Sequence, residues 1–205
     1  PIQDKVKSGD KYSILLDLDK LIKQVPDSIS KVKFDLQFVP QLVMMNNAYL
    51  QVDPDYPSQM MIEGDLVVTE YIDEKDLPSL LNINYEKPYQ KDIEYTQINQ
   101  KRINFKIRKI EKSENPQKLT IETLKKIGEK QYSNPFEISV PGKEEFVVAS
   151  FRLEEDSRNN VLVYFSNPID QSQDFRTIQN DQIVSCNMSF QAFPTSLMIQ
   201  LDETC

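Results

Sequence analysis

Apolar and polar residues alternate with a period of two along most of the chain. Clear stripes begin at Tyr12, Val32, Met60 and Ile103, where every second residue is mainly apolar. Successive side chains of a strand point to opposite faces of a sheet, so this alternation indicates strands with one buried and one wet face. The pattern predicts an all-β chain made of antiparallel β-sandwich modules in tandem.

Helical signals are weak and short. The segment 73–81 has acidic residues at its start, an early proline and leucines that share one face, which together predict one or two helical turns. A second short turn is predicted within 18–25. Neither segment is long enough for the crossover helix of a parallel sheet, so the short helices also favour antiparallel pairing.

The alternation also predicts which residues form the core. The apolar positions expected to be buried on their strands are Leu36, Phe38, Phe105, Ile107, Ile138, Val163 and Phe165. Each of them lies on the side of its strand where the apolar residues recur, which is the side that a sandwich turns toward its second sheet.

Turn-forming residues divide the chain. Pro40 follows one strand, and the pair Pro141-Gly142 precedes a run of charged residues. The resulting pieces are 1–40, 41–142 and 143–205. Only the middle piece reaches the roughly 100 residues of a typical sandwich domain. We therefore expect the first piece to be the end of an Ig-like module or a set of added strands, and the last piece to start a further module.

Charge and composition narrow the chemistry. The 205 residues carry a formal net charge of -8 at pH 7, which disfavours nucleic acid because its phosphates would be repelled. The chain has no histidine, the commonest general base and metal ligand, and only 4 glycines. We therefore expect no enzymatic activity, no cofactor, no bound metal and no small-molecule substrate.

The two cysteines, Cys186 and Cys205, lie close together in the last part of the sequence. They are too few for a disulfide framework, and without histidine they do not make a four-ligand zinc site. The sequence leaves open whether they form one disulfide bond or remain two thiols.

Several carboxylates could carry chemistry. An apolar strand ending in Asp17 and Asp19 resembles the nucleophile motif of haloacid dehalogenase phosphatases. The Gly-Thr pair expected after that motif is absent, and the pattern of successive strands contradicts the parallel body that this chemistry requires. Asp53, Asp55 and the run 154–156 offer oxygens for calcium, but calcium needs six or more that converge. We interpret Asp17 and Asp19 as the polar face and exit of a strand, and the other groups as solvated turn carboxylates.

The most informative motif in the sequence is an apolar strand that ends at Phe165 and is followed by a turn. Pro168 has no backbone donor, so the hydrogen-bonded ladder should stop there. The side chains of Ser166, Asn167 and Asp170 can hydrogen-bond local backbone groups that the ended strand leaves free. We interpret this segment as a structural turn and not as a binding site.

The same phrase resembles a recurrent sequence of bacterial, Bacteroidetes-type alpha-2-macroglobulin-like proteins: an apolar strand, Phe-Ser-Asn-Pro, a hydrophobic residue, Asp, and a later Gln-Asp pair. Further similarities to these proteins occur at 7–12, 31–38, 63–71 and 103–107, and they touch most of residues 7–178. The resemblance implies macroglobulin-like or Ig-like sandwich modules from the N-terminal part of a proteinase-inhibitor scaffold.

The resemblance has one decisive departure. The thioester of that family needs Cys-x-Glu-Gln, whereas Cys186 is followed by Asn-Met-Ser and Cys205 is the last residue of the sequence. What remains implied is a non-catalytic structural or interaction segment whose partners are proteins, either a proteinase or other domains of the same polypeptide. The implied location is the periplasm or cell envelope, as part of a lipoprotein anchored through a segment outside this sequence, or the extracellular surface. The alternative is an Ig-like cell-surface module that binds glycan or a host protein.

Overall fold

The computed structural model describes residues 9–20, 22–23, 26, 30–86, 92–125, 131–154, 157–172 and 188–201. Within them lie thirteen strands and two short 3-10 helices, and the paired strands are antiparallel. The predicted all-β class is therefore confirmed. The strands are β1 (Lys11–Asp17), β2 (Lys31–Gln37), β3 (Val43–Val52), β4 (Gln59–Val68), β5 (Leu81–Tyr85), β6 (Ile93–Gln97), β7 (Arg102–Glu111), β8 (Gln117–Leu124), β9 (Tyr132–Val140), β10 (Val148–Glu154), β11 (Ser157–Phe165), β12 (Met188–Ala192) and β13 (Ser196–Leu201).

The two helices fall where the sequence predicts helical turns. One spans Glu74–Ser79, contains Pro78 and buries Leu77, as expected for the segment 73–81. The other spans Leu18–Lys20 and directly follows β1. Both are single short 3-10 segments, so they terminate or connect strands and do not form a layer of the fold.

The chain divides into two compact units, Pro1–Leu42 and Val43–Cys205. In the first unit, β1 and β2 form a hairpin whose register runs from Lys11 opposite Gln37 to Asp17 opposite Lys31.

The prediction that Leu36 and Phe38 are buried is wrong, because they are 42% and 40% exposed. Leu36 does lie on the apolar side of β2, and Phe38 directly follows that strand, but the described part of this unit holds one two-stranded sheet and no second layer to cover that side. Alternation therefore identified the apolar face correctly without showing whether it is covered.

Residues 43–140 build a sandwich of two sheets. One sheet has the order β3-β4-β7-β6, and the other has the order β5-β8-β9. Their facing sides share one continuous buried core, whose largest fully buried side chains are Phe105, Leu50, Met60, Ile62, Leu66, Ile72, Leu80, Leu81, Ile103, Ile107, Ile110 and Leu119. The predictions for Phe105 and Ile107 are confirmed, and Ile138 is half-buried against this core.

The strand order of the sandwich is that of constant-type immunoglobulin domains. When its seven strands are lettered A to G in chain order, the two sheets read A-B-E-D and C-F-G. Antibody domains place a tryptophan and a disulfide at the centre of this arrangement. This chain has no tryptophan, and isoleucines Ile62, Ile83 and Ile121 are buried on strands B, C and F. The topology is therefore held here by aliphatic packing.

The strands β10 to β13 form a third sheet, with the order β10-β11-β13-β12. On β11 the buried side chains are Leu162 and Tyr164, whereas Val163 and Phe165 are only half-buried. The prediction that Val163 and Phe165 are core residues is therefore wrong. Both faces of β11 carry large side chains, and alternation alone does not show which face is the more deeply buried.

Phe105 gives the sharpest test of the sandwich core. Its ring lies against Gly64 on the neighbouring strand, where an added methyl group would come within 2.6 Å of the Phe105 Cζ atom. Phe105→Ala should lower the free energy of unfolding by about 3–5 kcal/mol, because a fully buried ring leaves a cavity. Urea denaturation measures this. Tyr71→Ala, at a position 57% exposed, is the control, and equal midpoints for both variants would contradict the assigned core.

Candidate functional site: the junction after the sandwich

Ser166 lies at the centre of a buried polar joint between the sandwich and the third sheet. Its side chain is fully buried. The Oγ atom donates to the Glu145 carbonyl at 2.6 Å and accepts from the Val147 N–H at 2.9 Å. The Ser166 N–H also donates to the Val147 carbonyl at 2.9 Å. One residue at the end of β11 thus fixes the linker that leads from β9 into β10.

Asn167 and Lys112 extend this joint to the sandwich. The Asn167 Nδ2 donates to the Glu145 carbonyl at 2.8 Å. The Lys112 ammonium donates to the Asn167 Oδ1 at 2.6 Å and to the Ser166 carbonyl at 3.0 Å. Lys112 directly follows β7 and is 5% exposed. Burial lowers the pKa of its ammonium, against the opposing effect of the Glu144 charge.

The prediction that Ser166 and Asn167 bond local backbone groups is therefore wrong. Their partners lie 19 to 55 residues away in sequence. Asp170 does bond locally, since its Oδ1 accepts from the Ser172 N–H and hydroxyl at 2.9 and 2.7 Å, and these bonds lower the pKa of its carboxyl. Sequence patterns identify such residues as hydrogen-bonding turn formers, but they do not reveal distant partners.

The other two residues of the predicted turn have simpler surroundings. The ring of Phe165 stacks on that of Phe146, with centroids 5.4 Å apart and planes at 11°. Pro168 is exposed and lies beyond the last residue of β11. Downstream of it, the Ile169 N–H donates to the Pro194 carbonyl at 2.9 Å, so the turn is also tied to the loop before β13.

The linker 141–147 is held from the sandwich side as well. The Lys143 N–H donates to the Ser113 carbonyl at 2.9 Å, and the Gly142 N–H donates to the Glu145 carboxylate at 2.8 Å. An added Cβ on Gly142 would lie 2.7 Å from the Glu114 carbonyl oxygen, so only glycine permits this close approach. The linker is consequently bonded to the loop after β7 and to the end of β11.

A second contact joins β10 to the edge strand β3. The Ser150 Oγ donates to the Leu50 carbonyl at 2.6 Å. The Arg152 guanidinium lies 5.8 Å from the ring centroids of Tyr49 and Tyr164, a geometry suited to cation–π attraction. The face of the third sheet that carries these residues is therefore occupied by the sandwich.

A polar cleft of about 480 Å³ opens beside this contact. Its lining residues are Asn47, Tyr49, Asp65, Ile98, Arg102, Asn104, Arg152, Leu153 and Glu154. Inside it, the Arg102 Nη2 donates to the Asp65 Oδ2 at 2.9 Å. Burial tends to raise the pKa of Asp65, but bonding to Arg102 and to the Asn47 amide outweighs it and lowers that pKa below its usual value.

The carboxylates considered for calcium are engaged otherwise. Asp53 is fully buried, and Arg108 donates to its carboxylate from Nε at 3.2 Å and from Nη2 at 2.6 Å. The same guanidinium also pairs with Asp55 and lies 3.6 Å from Glu94. Reading Asp53 as a solvated turn residue is therefore wrong, because it is half of a buried ion pair. Glu154 lines the polar cleft, and residues 155–156 lie outside the described part of the chain.

Chemistry-bearing groups are otherwise sparse. Across the described ranges, no three acidic, histidine or cysteine side chains are placed to hold a metal ion, and no helix there is long and apolar enough to cross a membrane. Asp17 ends β1 in an antiparallel hairpin and lies 3.4 Å from the Lys20 ammonium, which is not the parallel setting of a phosphatase. Cys186 and Cys205 lie outside the described residues.

Comparisons with known proteins give little. No family model matches the chain, and no curated protein matches it. Among solved structures, the chain is similar to domains 4–9 of the surface layer protein SbsC, with 10% sequence identity and a TM-score of 0.31. That match covers 84% of this chain and 29% of the other. A similarity of this size supports no assignment of fold or function.

The buried joint predicts that removing Ser166 lowers the free energy of unfolding more than removing Asp170, the other hydrogen-bonding residue of the same turn. Ser166→Ala should lower the free energy of unfolding by about 1–3 kcal/mol, because the Val147 N–H loses its acceptor in a partly buried place. Asp170→Ala, which removes an exposed local bond, should cost about 1 kcal/mol or less. Thermal and urea unfolding of both variants measure the difference. A larger loss for Asp170→Ala would contradict the central position of Ser166.

Asp65 predicts a pH dependence. Its folded-state pKa lies below the ordinary value of 3.8, so its ionised form stabilises the fold above that value, and the contribution is lost as the pH falls through the folded-state pKa. Asp65→Asn should therefore lose less stability than the parent between pH 5 and about pH 3. Urea midpoints across this range give the slope. Glu70→Gln at an exposed position is the control, and a slope unchanged by Asp65→Asn would refute the ion pair's role.

Proposed function

We propose that this chain is a non-catalytic structural and interaction segment made of tandem immunoglobulin-like sandwich modules. The observation that supports it best is the buried joint of Lys112, Ser166 and Asn167. A flexible linker between independent domains is exposed and polar, and it makes few fixed contacts. Here the linker 141–147 is hydrogen-bonded on both sides, and a buried ammonium connects the two bodies.

A joint of this kind suits a spacer. Each hydrogen bond to the linker restricts the range of orientations that the third sheet can adopt relative to the sandwich. The buried ammonium adds directionality, because the Ser166 carbonyl and the Asn167 side chain both accept from Lys112 at one place. A chain of modules connected in this way keeps a fixed distance and angle between the parts of a larger protein.

The finer assignment follows the sequence resemblance. We propose that the larger protein is an alpha-2-macroglobulin-like protein of the bacterial cell envelope, in which this segment positions the proteinase-trapping domains. The partners would be a proteinase or neighbouring domains of the same polypeptide. The flanking coding sequence tests this class, since further sandwich modules and a Cys-x-Glu-Gln motif are expected there, and a flanking sequence without either would refute it.

The polar cleft favours a second candidate function, that of a surface module binding glycan or a host protein. Tyr49, Arg102 and Arg152 bring an aromatic ring and two guanidinium groups to one concave surface. Such groups can stack on and hydrogen-bond to a sugar or a peptide. Since Arg102 is paired with Asp65 and Arg152 lies over two tyrosine rings, both arginines already have partners within the chain.

Hydrogen exchange tests the spacer function. In the parent, amides of the linker 141–147 should exchange slowly, at rates nearer those of β4 than those of exposed loops. Lys112→Met should accelerate exchange in this linker by about tenfold or more, because two acceptors lose a shared donor, while β4 stays protected. Lys118→Met, at an exposed position in β8, is the matched control.

Two results would contradict this function. Fast linker exchange in the parent would show that the modules are flexibly joined. Glycan or protein binding that Arg152→Ala abolishes, with linker exchange unchanged, would assign the chain to the second candidate instead.

A further inference from the structure

Lys112 and Asn167 bring an amine and a carboxamide together inside the buried joint. The Lys112 Nζ lies 2.6 Å from the Asn167 Oδ1, and the two residues are 55 positions apart in sequence. A C=O bond is about 1.23 Å long, so the Asn167 Cγ atom is at most about 3.8 Å from this nitrogen. Reacting atoms in a productive contact are about 3–3.5 Å apart. A small movement of the amine is therefore enough to reach the carbonyl carbon.

The surroundings of Lys112 favour its neutral, nucleophilic form. The residue is 5% exposed. Burial lowers the pKa of its ammonium, and the charge of Glu144 opposes this effect without cancelling it. The Ser166 carbonyl and the Asn167 Oδ1, which accept from Lys112, are neutral groups and hold a charge less strongly than a carboxylate would. A lysine kept from water in this way is activated for attack on a carbonyl carbon.

We infer that the Lys112 Nζ attacks the Asn167 Cγ and that an amide bond then joins the two side chains. The bond between Nζ and Cγ forms, the bond between Cγ and Nδ2 breaks, and Nδ2 leaves. The Lys112 ammonium gives up two of its three protons, and both depart with Nδ2 as NH₄⁺, so no oxidant, reductant or other reactant is needed. Well-oriented groups within one molecule react at effective concentrations of about 10⁵–10⁸ M, which offsets the low reactivity of a carboxamide.

The joint keeps its other hydrogen bonds after this reaction. The N–H that remains on Nζ can donate to the Ser166 carbonyl, which accepts from Lys112 at 3.0 Å. Departure of Nδ2 removes one donor from the Glu145 carbonyl, but that oxygen still accepts from the Ser166 Oγ at 2.6 Å. A neutral amide also replaces a buried ammonium, and it costs less to keep out of water. The product therefore fits the same joint without stranding either carbonyl.

Pro168 blocks the usual competing reaction of Asn167. An asparagine commonly loses ammonia when the backbone nitrogen of the next residue attacks its side chain, and this attack needs a backbone N–H. Proline has none, and Pro168 directly follows Asn167. Loss of ammonia at this position therefore reports attack by a different nitrogen, and the Lys112 Nζ is the one in contact with it.

The inference rests on the joint that the proposed spacer function uses and makes the connection covalent. The two can fail separately. Slow exchange in the linker 141–147 together with an unchanged mass would keep the spacer function and overturn the bond. A lost ammonia together with fast linker exchange would establish the bond and contradict the spacer function.

Mass spectrometry of the denatured full chain tests the bond. After the folded protein has been incubated at neutral pH, its mass should be lower than that of the sequence by one ammonia, about 17 Da. Trypsin does not cleave after a modified lysine, so digestion should give a branched peptide that joins 110–118 to 159–176. A parent that keeps the full mass of its sequence would overturn the inference.

Two lysine variants supply the matched comparison. Lys112→Arg keeps a positive hydrogen-bond donor but removes the amine, so the full mass of its sequence should be retained. Lys118→Arg changes an exposed lysine of β8 and should lose ammonia as the parent does. Circular dichroism checks that Lys112→Arg keeps its strands, and Asn167→Ala, which removes the carbonyl carbon, replaces it if it does not. Loss of ammonia by Lys112→Arg, or a branched peptide that joins other residues, would also overturn the inference.

Discussion

The requirement that every apolar sheet face be covered governs this molecule. Strands with period-two alternation produce sheets that are apolar on one side, and such a sheet is stable only when a second layer removes that side from water. Residues 43–140 meet the requirement internally, with Phe105 and Ile62 at full burial between the two sheets. The β1–β2 hairpin does not meet it within the described part of its unit, since Val32, Phe34 and Leu36 stay exposed on one face.

The junction adds a polar constraint to this apolar one. The third sheet turns Ser150 and Arg152 toward β3, and the buried ammonium of Lys112, from the loop after β7, reaches the residues that follow β11. Lys112 gains little net stability, since removing an ammonium from water offsets most of what its hydrogen bonds return. The Ser166 carbonyl and the Asn167 side chain, which both accept from it, lie directly after β11. The group therefore specifies one arrangement of the two bodies more than it strengthens their contact.

The sequence was sufficient to predict the strands, the short helical segment near Leu77 and the core parity of Phe105 and Ile107, because these depend on local periodicity. It was not sufficient where the outcome depends on a distant layer. Leu36 lies on an apolar face that no second layer covers in the described part of its unit, and Val163 is only half-buried. Asp53 was predicted to be a turn carboxylate, because the neighbouring sequence does not reveal that Arg108, 55 residues later, forms an ion pair with it. Periodicity shows the direction of a side chain, and burial also depends on what meets it.

The same distinction explains why the prediction for the turn after Phe165 was partly wrong. Ser166 and Asn167 are residues that stop a strand, and a strand does stop there. Their hydrogen-bonding groups would be satisfied by neighbouring backbone in an isolated turn, but here the linker 141–147 passes alongside and takes them instead. A motif that recurs for reasons of chain geometry can thus acquire a further task when another segment is close enough to bond. In this chain, Ser166 and Asn167 hydrogen-bond the linker 141–147 and so hold the sandwich against the sheet that follows it.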